Sequence, residues 1–295
     1  MRLLITGANG HLGIRLIRRI NETRPSDEVV AIVRSEKAAA SLRQEALGAD
    51  IRVVSYTDSA GISEAGQGAE VIVHLVGIIK ESATNSFEMA HEKTSAALVE
   101  SNLDASHIVT LGILGSDPSS TNSCFASRAA ADAILHAGAI PTSVIRVPMV
   151  LGPGDYASRA LAKNGTSGLA LCFRSGSLEQ PIYSMDVVDA IMSAVSLVPE
   201  NRVIELAGPE SLTRGALIER AGRLLGNKPK VISLPIALGY SLAWVLEQTS
   251  ANPPVTRAML GVLDHDDVID TGDATNLLGL TLTPLDEVLR NVLSD

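Results

Sequence analysis

Aromatic side chains are scarce in this sequence, because phenylalanine, tryptophan and tyrosine together make up 3% of its 295 residues. Long basic runs are missing as well: the net charge is −9, and the longest run is the pair Arg18 and Arg19. Proteins that bind nucleic acids present basic surfaces and stack bases on aromatic rings. The composition therefore argues against nucleic acid and anionic membranes as partners.

Cysteine is rare too, and Cys124 and Cys172 show neither the spacing of a zinc site nor that of a disulfide framework. Two isolated thiols fit a reducing cytosol, so we expect a cytoplasmic protein without a bound metal. No signal peptide precedes the first predicted strand. The longest apolar stretch, 234–246, has about thirteen residues, fewer than the ~20 that span a bilayer. We interpret it as a core or interface helix, with a peripheral membrane contact through Tyr240 and Trp244 as the alternative.

What the chain does contain is a glycine-rich opening. An apolar run at residues 3–5 predicts a strand buried on both faces. Gly7, Gly10 and Gly13 follow, and apolar residues continue from Leu12 with helical spacing. A strand, a glycine turn and a helix start in this order are typical of a dinucleotide-binding βαβ unit.

Each of these glycines answers a separate physical need. Gly7 lets the chain turn sharply out of the strand, and Gly10 leaves room for a pyrophosphate near the backbone. Gly13 lets the helix pack closely against the sheet. The helix N-terminus then offers free N–H groups and a partial positive charge to the phosphates. The alternative is a tight turn that binds nothing.

The end of the second predicted strand, 29–33, bears on the cofactor. Many NAD-binding units place an acidic residue there to bond the ribose hydroxyls, but this chain has Arg34, with Lys37 nearby. A guanidinium offers a planar fork to a phosphate. We therefore expect NADP(H) in preference to NAD(H), and the alternative is that Arg34 is only a solvated charge.

The rest of the chain favours the α/β class. Six strand-like runs alternate with helical segments up to residue 151, which predicts a doubly wound, Rossmann-type parallel sheet in a dinucleotide-binding domain. Residues 152–295 predict a smaller, mostly helical lobe, with some segments near 182–206 returning to the first domain. Because open α/β sheets bind ligands at their carboxyl edge, we expect a small-molecule ligand or substrate between the lobes.

Several stretches carry a family resemblance. The opening TGANGHLG resembles the short-chain dehydrogenase/reductase superfamily, in its extended and atypical branches. RVPMVLGPGD at 146–155 resembles a segment of the extended, epimerase/dehydratase-like enzymes. VIVHLVGIIKES at 71–82 and IELAGPESLT at 204–213 resemble the atypical branch that contains the nucleotide-binding accessory subunit of respiratory complex I.

The opening loop, the strand ends and this resemblance together indicate fourteen cofactor-binding positions. They lie in the loop, at the carboxyl ends of the predicted strands, and on the helix that follows the fifth strand. The residues are Gly7, Asn9, Gly10, His11, Leu12, Arg34, Lys37, Asp58, Leu75, Val76, Gly77, Thr110, Arg128 and Pro148. His74, inside the fourth strand, is interpreted as a packed histidine rather than a ligand.

The superfamily also implies a catalytic serine and a Tyr-x-x-x-Lys pair, and this chain contains no Tyr-x-x-x-Lys. The pattern after the fifth strand puts Arg128 at the lysine position and Cys124 at the tyrosine position; a shift by one residue gives Phe125 and Ala129 instead. The serine position falls near Gly112. Arginine cannot shuttle a proton, whereas a thiol near a guanidinium can have a lowered pKa. Cys124 is thus a candidate acid or nucleophile, or a packing residue in place of the lost tyrosine.

Other candidates for a proton donor or a pocket residue have weaker support. Lys80 follows the fourth strand and is a candidate proton donor or anion anchor, or else a surface lysine. Tyr183 is a candidate near the pocket, as is Cys172.

Two functions remain open at this point. One is a cofactor-binding protein without the usual triad, acting as a structural, sensory or redox-complex-associated factor. The other is an NADP(H)-dependent oxidoreductase or isomerase on a small carbonyl or quinone, with a non-standard proton donor. The fold alone does not choose between them.

Overall fold

The computed structural model describes residues 1–45, 47–82, 84–250 and 252–294. The chain divides into two compact units, each built around its own cluster of buried apolar side chains. The first unit comprises Met1–Ile78, Asn85–Arg146 and Val188–Ile204, and the second comprises Ile79–Thr84, Val147–Val187 and Glu205–Asp295.

A seven-stranded parallel sheet forms the centre of the first unit, which confirms the predicted α/β fold class. Its strands are β1 (Arg2–Thr6), β2 (Glu28–Val33), β3 (Asp50–Val53), β4 (Val71–His74), β5 (His107–Ile113), β6 (Thr142–Val147) and β11 (Arg202–Glu205). Their spatial order is β11-β6-β5-β4-β1-β2-β3, so the order reverses between β1 and β4. Sheets of this kind bind ligands at the carboxyl ends of the strands where the order reverses. The glycine-rich loop follows β1, at that point of the sheet.

The seventh strand, β11, comes after the six runs up to residue 151 and lies in the segment near 182–206 that the sequence predicted to return to the first domain. It is short, and Ile204 is its one buried residue. The sequence pattern predicts the fourth strand over residues 71–76, but the strand ends at His74. Residues 75–77 are therefore free to turn toward the glycine loop.

Helices connect the strands of the first unit along the chain. They are α1 (His11–Thr23), α2 (Glu36–Gln44), α3 (Ser59–Ala65), α4 (Thr94–Glu100), α5 (Ser123–His136) and the later part of α7 (Ser184–Ala194). The predicted helix at 38–47 ends earlier than expected, and its residue Ala46 lies outside the described residues. The predicted helix at 86–102 contains a π-helical turn (Glu88–Lys93) before α4.

The described part of the second unit contains short strand pairs and six further helices. The strands are β7 (Val150–Leu151), β8 (Leu169–Phe173), β9 (Leu178–Glu179), β10 (Ile182–Tyr183), β12 (Leu212–Thr213) and β13 (Lys230–Leu234). β7 pairs in parallel with β10, and β8 pairs in parallel with β13, whereas β9 pairs antiparallel with β12. The helices are α6 (Tyr156–Thr166), α8 (Arg214–Leu224), α9 (Ile236–Thr249), α10 (Arg257–Leu263), α11 (Gly272–Leu278) and α12 (Leu285–Leu293).

The second unit corrects one sequence interpretation and narrows another. The sequence pattern predicts a flexible turn at 164–168, but α6 continues to Thr166. The apolar stretch at 234–246 is predicted to be a core or interface helix, and the core alternative is wrong, because Gly239 and Ala243 are the buried residues of α9 while Leu238 and Leu242 are exposed. Among the described residues, no helix combines the length and the apolar character needed to cross a membrane.

Two histidines on strands of the first unit, His74 and His107, are buried, and each is bonded to a neutral hydroxyl group rather than to a carboxylate. His74 Nδ1 is 2.7 Å from Thr6 Oγ1, which links β4 to β1 and confirms His74 as a packed residue. Burial, helped by the nearby Arg128 charge, lowers the pKa of His74 to about 3. His107 on β5 bonds Ser143 on β6 at 2.9 Å, and burial lowers its pKa as well. The folded first unit therefore holds these imidazoles neutral.

This arrangement predicts a specific pH dependence of stability. The pKa of His74 falls from 6.5 in the unfolded chain to about 3 in the fold, so the unfolded chain binds the extra proton between these values. Stability is thus full above pH 6.5 and is lost as the pH falls, with a slope of about 1.4 kcal/mol per pH unit from this one group. We expect His74→Gln to reduce the slope of the unfolding free energy by about that amount, measured by urea titration from pH 7.5 to pH 4.5.

The measurement at pH 7.5, where His74 is neutral in both the folded and the unfolded chain, is the control. At pH 7.5 the variant differs from the parent only by lost packing and the lost bond to Thr6, which shifts stability without changing its slope. Parallel lines for the two proteins across the whole pH range would contradict a neutral His74.

Candidate functional site

The glycine loop after β1 lies directly against the end of β4. Gly7 has a φ of +73°, a conformation that L side chains rarely adopt, and a Cβ there would lie 2.9 Å from the Leu75 carbonyl. The Leu75 N–H in turn donates to the Thr6 carbonyl at 3.1 Å. Only glycine allows the chain to leave β1 this close to the neighbouring strand.

The loop then presents the start of α1 to solvent. Asn9, Gly10 and His11 are exposed, and no side chain caps the helix or places a carboxylate in its first turn. A Cβ at Gly10 would meet the Gly7 carbonyl at 3.2 Å. An uncapped, exposed helix N-terminus without nearby acids is suited to bind a phosphate. These residues therefore fit the pyrophosphate of a dinucleotide.

Gly13 has a different role from the one expected. A Cβ at Gly13 would lie 2.5 Å from the carbonyl oxygen of Ala8, so the close neighbour is the loop itself rather than the sheet. The glycine lets the loop fold back onto the first turn of α1. Leu12 beside it is half-buried.

Two basic residues lie where β2 ends. Arg34 and Lys37 are exposed, while Ser35 between them caps α2 by accepting a bond from Ala38 N at 3.3 Å. The acidic Glu36 lies 3.8 Å from Arg43 on the same helix. The guanidinium of Arg34 is thus the first charge after the buried strand, as the sequence pattern indicated.

Tyr56 is a residue of this region that the sequence analysis missed. Its hydroxyl donates to the Ile32 carbonyl at 3.4 Å, and burial raises the pKa of the phenol. Hydrogen bonds from the backbone of Gly7 and Arg34 oppose that rise. Tyr56 thus connects the glycine loop to the end of β2. A lone tyrosine in a loop after a strand carries no pattern that would have revealed this.

Asp58 and Thr110 have structural partners. Asp58 Oδ1 accepts a bond from Gly61 N at 3.0 Å and caps α3. Thr110 Oγ1 donates to the His74 carbonyl at 2.9 Å and is buried. A contact of either residue with a nucleotide stays a prediction.

Arg128 is the central charged residue of the site. Asn122 caps α5 by accepting a bond from Cys124 N at 2.9 Å, and Arg128 follows one turn after Cys124. The guanidinium lies over Gly77, where any Cβ would overlap it. It donates to the Leu111 carbonyl at 3.2 Å and to the Val76 carbonyl at 3.4 Å.

The surroundings of this guanidinium leave it incompletely compensated. Its Nε is buried and has no hydrogen-bond partner among the described residues. Burial lowers the pKa of Arg128, while Cys124 and Asp132 nearby oppose that shift. A buried charge without full partners is costly, so an acceptor oxygen of a ligand would stabilise it. The resemblance places Arg128 at the lysine position of the superfamily, and that assignment stays a prediction.

His91 extends this cluster from the π-helical turn before α4. Its Nε2 lies 3.0 Å from the Ile78 carbonyl oxygen and 3.2 Å from the Ile78 amide nitrogen. Burial and the Arg128 charge lower the pKa of His91 to about 3, so the imidazole stays neutral. π-Helical turns often occur at functional sites. The sequence pattern gave no sign of this turn.

The residues that the resemblance assigned to the other triad positions are Cys124 and Gly112. The thiol of Cys124 is buried, and its sulfur lies 3.9 Å from the Ile78 carbonyl oxygen. At Gly112 a Cβ would lie 2.8 Å from Cγ of Arg146, whose guanidinium is held by Asp132 at 2.9 Å. The serine position is therefore filled by an arginine side chain.

The other predicted residues belong to the second unit. Lys80 Nζ donates to Asn252 Oδ1 at 2.8 Å and to the Pro253 carbonyl at 3.1 Å. Tyr183 and Cys172 pack against the core of that unit, and burial raises the pKa of the Cys172 thiol. Pro148 follows β6 and is half-buried. Their proposed roles toward a cofactor or substrate stay predictions.

Comparison with known proteins agrees with this geometry. A family model described as NAD(P)H-binding matches residues 7–165. A ceramide reductase from Caulobacter vibrioides is 26% identical over 240 residues, which cover 78% of this chain and 73% of the relative. The 40 kDa subunit of mitochondrial NADH-ubiquinone oxidoreductase from Neurospora crassa is 22% identical over 291 residues, which cover 96% and 75%.

A solved structure shares the fold. The NADPH-dependent quinone oxidoreductase from Escherichia coli, complexed with NADPH, superposes with a TM-score of 0.73 at 21% identity and covers 98% of both chains. The family match spans more than half of the sequence and includes the glycine loop, Arg34 and Arg128. The chain therefore belongs to the NAD(P)H-binding family and to the atypical short-chain dehydrogenase/reductase-like superfamily.

Proposed function

We propose that this protein binds NADP(H) over its opening loop, in preference to NAD(H). The observation that carries this proposal is the exposed Arg34 at the end of β2, followed by Lys37. A guanidinium can bind the additional ribose phosphate of NADP(H) through two parallel hydrogen bonds. Glu36 is an acidic residue that could bond the ribose hydroxyls of NAD(H), but its carboxylate lies 3.8 Å from the guanidinium of Arg43.

The first candidate function is that of a cofactor-binding protein without the usual triad, in a structural, sensory or redox-complex-associated role. Its support is the chemistry of the residues that the resemblance assigns to the triad positions. Arg128 stays charged, Gly112 is covered by Arg146, and the Cys124 thiol is buried against a carbonyl. The complex I subunit among the relatives is consistent with such a role.

The second candidate is an NADP(H)-dependent reductase, and Arg128 favours a quinone as its substrate. Bound NADPH would supply a hydride. A quinone that accepts a hydride becomes a phenolate-type anion, a weak base whose conjugate acid resembles tyrosine with a pKa of about 10. A fixed guanidinium can stabilise that anion until water protonates it.

An isolated ketone places a greater demand on the site. It would become an alkoxide, a base comparable to hydroxide and far stronger than a phenolate. Such a substrate needs a general acid in the transition state. The charged, non-transferring Arg128 therefore fits a quinone better than an isolated ketone or an isomerase substrate.

The cofactor preference can be tested by calorimetric titration with NADPH and NADH. We expect NADPH to bind more tightly, and Arg34→Gln to weaken NADPH binding by about 10-fold to 100-fold through loss of a charge-assisted contact. Binding of NADH should change by less than about threefold, since it lacks the phosphate. Arg52→Gln removes an exposed arginine of β3 that pairs with Asp50, so it is the matched control and should leave both affinities in place. Equal affinities of the parent protein for the two cofactors would refute the role of Arg34.

The two candidate functions differ in turnover. We expect NADPH oxidation, followed by absorbance at 340 nm, with a benzoquinone acceptor but not with an aliphatic ketone, after subtraction of the protein-free reaction. Arg128→Met should lower kcat by about 10²–10³-fold, as loss of one preorganised donor does. Arg128→Lys keeps the charge and should retain more activity. Cys124→Ser tests the thiol and should retain activity within about threefold.

Each other outcome assigns a different role. Loss of turnover in Cys124→Ser would make the thiol the proton donor instead. Binding of NADPH without turnover of either acceptor would favour the structural or sensory function. Faster reduction of the ketone than of the quinone would contradict the argument from Arg128.

A further inference from the structure

Helix α9 of the second unit turns its small residues inward and its large apolar residues outward. Gly239 and Ala243 are buried, and a Cβ at Gly239 would lie 3.1 Å from the Phe173 ring. The exposed fractions of the large side chains are 58% for Leu238, 53% for Leu242, 53% for Trp244 and 47% for Val245. Soluble helices normally bury such a stripe. An exposed row of this kind marks an interaction surface.

Polar side chains are few along most of α9: Tyr240 is half-buried and Ser241 is exposed, and the exposed Gln248 lies near the end of the helix. No charged residue occurs from Ile236 to Leu246. The Ser241 hydroxyl donates to the Ala237 carbonyl at 2.9 Å, within the helix itself. The first charge, Glu247, lies at the far end and is paired with Arg257 at 2.7 Å. The exposed row is therefore almost entirely hydrocarbon.

This chemistry selects a lipid surface over a protein surface. Protein interfaces carry about one hydrogen bond per 100–200 Å² and a polar rim. The α9 row offers one donor, the indole N–H of Trp244, and tryptophan is enriched at the boundary between hydrocarbon and headgroups. The net charge of −9 disfavours anionic lipids, so the matching surface is zwitterionic.

We propose that α9 is a membrane-docking helix that lies in the surface of a zwitterionic phospholipid bilayer. Leu238, Leu242 and Val245 follow one another at the four- and three-residue spacing of a helix face, and Trp244 lies beside them. Helices of this kind bury their apolar face about 5–10 Å into the boundary of the acyl chains. The docking needs no bound cofactor and does not rest on the proposed reaction.

The chain contains its own reporter, because Trp244 is its one tryptophan. We expect the emission maximum of the full-length protein to shift to shorter wavelength when phosphatidylcholine vesicles are added, and the protein to co-sediment with them. A Leu238→Gln/Leu242→Gln double variant keeps the tryptophan. We expect the double variant to bind the vesicles with a partition coefficient about 100-fold lower, because each leucine that no longer inserts reduces it about tenfold. Val198→Gln removes an exposed apolar side chain of the first unit and is the matched control.

Salt and lipid composition provide the second readout. Apolar insertion predicts equal binding at about 50 mM and 500 mM NaCl, and no gain when phosphatidylglycerol is added to the vesicles. No shift and no co-sedimentation with phosphatidylcholine would overturn the proposal. It would also be overturned by binding that requires phosphatidylglycerol and disappears at high salt. A dimer in lipid-free buffer that the double variant dissociates would assign this face to a second copy of the chain instead.

Discussion

The buried guanidinium of Arg128 is the constraint to which the surrounding backbone and side chains conform. Gly77 has no Cβ because the guanidinium occupies that space, and the Val76 and Leu111 carbonyls accept its hydrogen bonds. A buried charge requires partners, but both of these bonds come from Nη1, and Nε has no acceptor among the described residues. An acceptor oxygen of a ligand would satisfy this buried nitrogen.

The same charge governs which groups near it can titrate. It helps to keep His74 and His91 neutral, with pKa values of about 3, so neither imidazole can act as an acid near neutral pH. Arginine itself does not release its proton. Replacing a lysine by an arginine is thus not conservative here: the positive field is retained, whereas the tunable proton is lost. This chemistry supports the proposed reduction of a quinone, which depends on charge stabilisation more than on proton transfer.

Much of the fold could be predicted from the sequence, because its signals are local. The run from residue 3 to residue 5 and the glycines after it specify a strand and a turn, and Arg34 follows directly from a continuous apolar strand. Tyr56, His91 and the filling of the Gly112 position by Arg146 could not be predicted. Each depends on a contact between distant parts of the chain, or on a π-helical turn that has no distinctive pattern.

Helix α9 shows why apolar periodicity alone does not identify the buried face of a helix. A stripe of leucines predicts a buried face only if the rest of the unit offers a surface of matching area. Here the neighbours Phe173 and Leu260 approach closely, and that approach requires small residues, so Gly239 and Ala243 occupy the contact. The large residues therefore lie on the opposite side, exposed to water. Contact with another apolar surface would remove them from water and lower the free energy. Because the helix has no charge over eleven consecutive residues and keeps the Ser241 hydroxyl bonded to its own backbone, a bilayer surface is the phase that requires no additional polar partners.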